Sequence, residues 1–121
     1  MWRQKLDNLI YNKKIVITIA ILFFTQIIVW YQLNGQLVWK WAKDNPFLLS
    51  CLGIPISYLF ILTTKLGYDG FGSLWPIRLL GFATGMISFP IITWMMLGEG
   101  ITVKTAISIF LSIIIMILQL I

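Results

Sequence analysis

Residues 74–121 read LWPIRLLGFATGMISFPIITWMMLGEGITVKTAISIFLSIIIMILQLI, two apolar runs (74–97 and 101–121) parted only by Gly98-Glu99-Gly100. A run this long and this poor in charge suits a helix crossing a bilayer, since about 20 residues at 1.5 Å each cover about 30 Å of hydrocarbon. A helix also satisfies its backbone polar groups internally where no water is available. The very short turn predicts that the two helices form an antiparallel hairpin. One residue stands out within it. Arg78 is the only charge well inside an apolar run, and a cation there is expensive unless it meets a partner, a lumen or a headgroup.

Two further apolar runs lie upstream, IVITIAILFFTQIIVWYQ at 15–32 and FLLSCLGIPISYLFILTT at 47–64. They are near the lower length limit for a span, whereas 74–97 is long enough to tilt. The chain as a whole is 60% hydrophobic and 11% charged, far from the averages of about 45–50% and 25% for soluble domains. A chain of 121 residues cannot hide that much apolar surface from water. The expectation is an all-α integral membrane protein, a four-transmembrane-helix bundle that pairs as a dimer. It is one membrane domain over 1–121, with an interfacial segment at 1–14 and helices at about 15–32, 47–64, 74–97 and 101–121.

Charge and cysteine content narrow the function classes. The net charge of +5 is concentrated near the N-terminus in Arg3, Lys5, Lys13 and Lys14. That pattern suits anionic headgroups and an orientation signal, not nucleic acid. The lone Cys51 has no intrachain disulfide partner, and histidine is absent, so neither a transition metal nor Cys/His catalysis is expected. No cofactor is implied. Nor can an acid–base or nucleophile–base pair be assembled, so the chain does not read as an enzyme.

Lys13 and Lys14 ahead of an apolar stretch resemble a secretory signal, but the apolar core is too long and no small-x-small cleavage site follows. The run reads as a retained helix. Trp2, Leu6, Leu9 and Ile10 share one helical face, as in a short interfacial anchor. The distribution of basic residues favours both termini on the cytoplasmic side of a plasma (inner) membrane. Trp30, Tyr31, Trp39, Trp41 and Trp75 fall where an aromatic belt would lie, and 37–41 reads as a stretch along the membrane surface.

Asp44-Asn45-Pro46 and Ser73 with Pro76 supply cap residues and first-turn prolines for the second and third helices, the latter after a glycine-rich turn expected at Gly67-Tyr68-Asp69-Gly70-Phe71-Gly72. Pro55 and Pro90 fall inside helices, where each removes a hydrogen bond and favours a kink. Gly81 and Gly85 stand four residues apart on one helical face, and Ser108 and Ser112 repeat that spacing in the last helix. Both pairs are expected to let helices pack closely.

Ser88-Phe89-Pro90, then Trp94-Met95-Met96-Leu97-Gly98-Glu99, Thr102 and a closing apolar helix resemble the end of the drug/metabolite transporter superfamily. The proline helix, the turn of Leu97, Gly98 and Glu99, and the Thr cap carry the likeness, which is sharp over residues 86–105. In size and four-helix plan the chain looks like the small multidrug resistance branch and its small relatives. The resemblance implies a helical fold that works as a dimer in transport or lipid carriage. Small multidrug exporters carry a glutamate in the middle of the first helix that binds cation and proton in turn. The first helix here has no acid, and its interior polar groups are Thr18, Thr25 and Gln26.

With no acid in the first helix, Arg78 is the best remaining charge to select a substrate, which would be anionic or zwitterionic. Gln26, Thr25 and Tyr58 are the polar residues expected opposite it. Glu99 is read first as a cap for the last helix, exploiting its positive end, and second as a substrate contact. The leading functional class is therefore a small dimeric transporter or flippase-like protein for an anionic or zwitterionic small molecule or lipid-linked group. A non-catalytic membrane subunit of a larger complex is the alternative. A pore-forming small protein, drawing on size and basic charge alone, comes third.

Overall fold

The structure is a computed structural model that describes Trp2–Ile121; Met1 and the side chains of residues 5–12 lie outside the described residues. With them lies the face proposed for Leu6, Leu9 and Ile10. The protein is 88% helical, and no strand occurs among the described residues. The helices are α1 (Trp2–Asn34), α2 (Lys40–Asp44), α3 (Pro46–Ser50), α4 (Gly53–Phe71), α5 (Trp75–Leu97) and α6 (Val103–Leu120), with a short 3-10 turn at Gly35–Leu37. Four stretches are long and apolar enough to cross a membrane: Lys13–Leu37, Pro46–Phe71, Trp75–Leu97 and Val103–Leu120. A multi-pass membrane protein with a four-helix plan follows.

Several boundaries differ from the sequence expectation for physical reasons. A separate N-terminal helix is not formed, because α1 runs unbroken from Trp2 to Asn34. Lys13 and Lys14 end the apolar run, but a helix tolerates them where a hydrocarbon span does not. The second run was expected to contain a proline kink. Instead the helix is interrupted at Cys51 and Leu52, and α4 starts at Gly53. Pro55 explains this break, since its ring crowds the carbonyl four residues back, which belongs to Cys51.

At its far end α4 continues beyond residue 64, through the glycine-rich stretch that reads as a turn, and stops at Phe71. Gly72 then closes it at φ 73° and donates its N–H to the Tyr68 carbonyl at 2.8 Å. Glycine suits this left-handed cap because it carries no Cβ to clash. The Gly98 cap at φ 70° ends α5 in the same way.

Helix α1 is the centre of the bundle, packed against α4 on one side and α5 on another. Between apolar helices in lipid no hydrophobic force favours association, so close backbone approach and a few polar links must do so. Gly67 provides one close approach. A Cβ added there would lie 2.6 Å from Ile77 Cγ1 and 3.3 Å from Thr18 Cγ2. Gly70 similarly admits Ile15, whose Cγ1 would stand 3.2 Å from an added Cβ. Leu22, Leu80 and Trp30 are buried between the helices. Trp30 donates its indole N–H to the Thr93 hydroxyl at 2.9 Å, linking α1 to α5.

Four other buried threonines fill space without crossing between helices. Thr18, Thr25, Thr63 and Thr84 bond to carbonyls of their own helices, at Lys14, Ile21, Phe60 and Gly81 respectively. Helix α6 packs on α5 and buries Ser112, while Phe110, Leu118 and most of its apolar residues stay exposed. At the other end of α1, Tyr31 stacks on Trp39, which stacks on Trp41, with ring centroids 5.7 and 6.3 Å apart. This aromatic cluster holds the 3-10 turn and α2 against the end of the first span.

Candidate functional site

Helices α4 and α5 touch only lightly although each packs on α1. The gap between them is a cleft of about 810 Å³. Leu22 and Gln26 of α1 form its floor, Phe60, Thr63 and Thr64 line it from α4, and Trp75, Ile77, Arg78, Gly81 and Phe82 from α5. Pro76 near the helix start fixes the first turn of α5, which sets where Arg78 projects. The Arg78 guanidinium lies 5.2 Å from the Phe82 ring centroid. A residue and its fourth successor share a helix face, so this cation–π contact needs no rearrangement. Arg78 lines the cleft and remains exposed.

Gln26 crosses from α1 to α5. Its Nε2 donates to the Gly81 carbonyl at 3.0 Å, and the Thr84 hydroxyl donates to the same oxygen at 3.0 Å. Gly85 makes room for this link, because a Cβ there would stand 3.0 Å from Gln26 Oε1. A Cβ on Gly81 would meet nothing within 4 Å. The two glycines therefore differ in role: Gly85 receives a neighbouring side chain, and Gly81 faces open space.

Of the four residues expected at a substrate site, Arg78 and Gln26 share the cleft. Thr25 is buried with its hydroxyl committed to the Ile21 carbonyl, and Tyr58 is 66% exposed on α4; neither belongs to the cleft lining. Sequence reasoning passed over Phe60, Thr63, Thr64 and Phe82. The fourfold spacing of Phe82 from Arg78 was an available signal for one of them. The two threonines gave little, since both hydroxyls donate to the Phe60 carbonyl, at 2.9 and 2.8 Å.

A second cavity of about 320 Å³ continues from Gln26, Gly81 and Phe82 toward Leu33, Asn34 and Phe89. A third, also about 320 Å³, lies between α5 and α6 and is lined in part by Pro90, Glu99, Lys104 and Ser108. Thr102, not Glu99, caps α6, with its hydroxyl accepting the Thr105 N–H at 3.2 Å. The Ser108 and Ser112 hydroxyls both bond within α6, to the Lys104 and Ser108 carbonyls. Leu97 and Gly98 form the end of α5. Among the described residues, no group of three or more His, Cys, Asp or Glu is placed to hold a metal ion.

Comparison with known proteins gives no match to a family model, a curated protein or a solved structure. The chemistry available in the main cleft is therefore read from its own residues. Arg78 offers a permanent positive charge with several donors, Gln26 an amide at the floor, and the remaining walls are largely apolar. Such a site can orient and hold an anion.

Proposed function

We propose that this chain is a small membrane transporter of flippase-like character that carries an anionic or zwitterionic small molecule or lipid-linked group. The observation supporting this reading most directly is that Arg78 and Gln26 line one cleft of about 810 Å³ between α1, α4 and α5. Among the described residues, no acidic side chain lines that cleft to neutralise the guanidinium. Its polar groups are few and its walls apolar, the usual make-up of a small-molecule site. The likeness of residues 86–105 to the drug/metabolite transporter superfamily supports the same class. In this reading the protein works as a homodimer in the plasma membrane, with both termini cytoplasmic.

Reconstituted protein in liposomes is expected to show saturable, substrate-dependent flux. Arg78→Ala should abolish that flux while leaving assembly intact, and unchanged flux in this variant would overturn the assignment. The exposed apolar face of α6 favours a second reading, a non-catalytic subunit of a larger membrane complex. Stable co-purification with another membrane protein, without flux by the isolated chain, distinguishes it.

A further inference from the structure

The main cleft and the smaller cavity beyond it are separate cavities that adjoin, together marking out a groove along α5. Both are bounded by Gln26, Gly81 and Phe82. From that junction one extends toward Trp75 at the start of α5, and the other toward Asn34 and Phe89. Along α5, residues 75–89 rise by about 21 Å at 1.5 Å each, a large part of a hydrocarbon core about 30 Å thick. At the junction the Gln26 amide crosses from α1 to bond the Gly81 carbonyl at 3.0 Å, and Phe82 stands at the same place. Because a Cβ on Gly81 would meet nothing within 4 Å, the α5 backbone itself borders the open groove there.

The groove also opens sideways. Phe82 and Phe89 are 60% and 52% exposed on its rim, and in a membrane that exposure is to acyl chains. Its polar groups are spaced along its length, with Arg78 near one end, Gln26 at the junction and Asn34 near the other end. Among the described residues, no acidic side chain lines either cavity. A water-soluble anion entering such a site from the bilayer would lose its hydration against mostly apolar walls. An anionic lipid would not face that penalty along its tails, which stay in hydrocarbon throughout.

We propose that this groove is a track for the headgroup of an anionic membrane lipid. Arg78 receives the phosphate, the acyl chains remain in the bilayer beside Phe82 and Phe89, and the Gln26–Gly81 hydrogen bond and Phe82 mark the junction the headgroup passes. The proposal rests on the transport reading and narrows it to one substrate class and a lateral entry.

The test uses the full chain in phosphatidylcholine vesicles carrying a trace of tail-labelled phosphatidylglycerol or tail-labelled phosphatidylcholine. Transbilayer exchange is read by chemical quenching of the outer-leaflet label. A parallel arm measures entry of radiolabelled glycerol phosphate, a soluble anionic phosphate ester. Labelled phosphatidylglycerol should exchange at least about tenfold faster than labelled phosphatidylcholine, and Arg78→Gln should remove that preference, the factor expected for loss of one charged contact. Gly81→Leu places a side chain in the open junction and should reduce exchange to the protein-free rate, whereas Gly81→Ala, with unchanged helical content, should retain most of it.

Equal exchange of the two lipids, or full exchange by Gly81→Leu, overturns the track. Saturable glycerol phosphate entry without lipid exchange overturns the lipid assignment and leaves the transport reading standing. Absence of both overturns both.

Discussion

The Trp30 indole donates to the Thr93 hydroxyl at 2.9 Å, and both residues are buried between α1 and α5. Thr93→Val keeps the shape of the side chain and removes the acceptor. The indole N–H is then left without its partner in an apolar setting, which should destabilise the protein by about 0.6–2 kcal/mol. Reversible unfolding in mixed micelles measures this loss. The indole fluorescence of a variant retaining Trp30 as the sole tryptophan should shift as well.

Gly81 and Gly85 are adjacent turns of one helix with opposite surroundings. Alanine at either position gains the same relief of backbone entropy. At Gly85 the new methyl displaces the Gln26 amide, while at Gly81 it enters open space. Gly85→Ala should therefore be less stable than Gly81→Ala by about 1–2 kcal/mol. Thermal denaturation of the two purified variants side by side decides the matter.

Gly67→Ala should be among the most damaging single-methyl additions in the bundle. The added Cβ would stand 2.6 Å from Ile77 Cγ1, and overpacking of this kind typically costs about 1–3 kcal/mol. Truncating Ile77 to alanine removes the clashing atoms. In that background the penalty of Gly67→Ala should shrink markedly, a coupling that a double-mutant cycle measures.

Thr102→Ala and Glu99→Gln should separate at the start of α6. The Thr102 hydroxyl accepts the Thr105 N–H, and loss of such a cap costs about 0.5–2 kcal/mol. Faster amide exchange in the first turn of α6 is expected for Thr102→Ala alone. Equal acceleration in Glu99→Gln would return the capping role to the carboxylate.

Hydropathy located the spans because lipid imposes a simple demand on length and charge. It misjudged where helices end, because a helix and a hydrocarbon span are different objects. Lys65, Gly67, Tyr68, Asp69 and Gly70 read as a loop, yet α4 continues through them. Gly67 and Gly70 are used there for close contact with Ile77 and Ile15, and Asp69 faces Lys14 at 4.0 Å. Those contacts arise from residues distant in the chain and leave no local trace.

The site was legible to the extent that its members were chemically unusual. Arg78 and Gln26 stood out as polar groups within apolar runs, and the structure brings them to one cleft. Thr25 looked equally available, but threonine satisfies itself on the preceding turn of its own helix. Phe60 carries no signal in so apolar a chain, and Phe82 only its fourfold spacing from Arg78. Their place on the cleft depends on how far α4 and α5 diverge, which packing decides.

The connection between α4 and its neighbours has a mechanical consequence. Among the described residues, the side-chain hydrogen bonds between spanning helices join α1 to α5, through Gln26, Trp30 and Tyr31. Helix α4 meets them by shape, with one exposed ion pair at Lys14 and Asp69. A shift of α4 would therefore slide surfaces without rupturing a buried polar bond. The α1–α5 pair acts as a stiff frame, and the wall carrying Phe60, Thr63 and Thr64 is the panel held to it by fit alone.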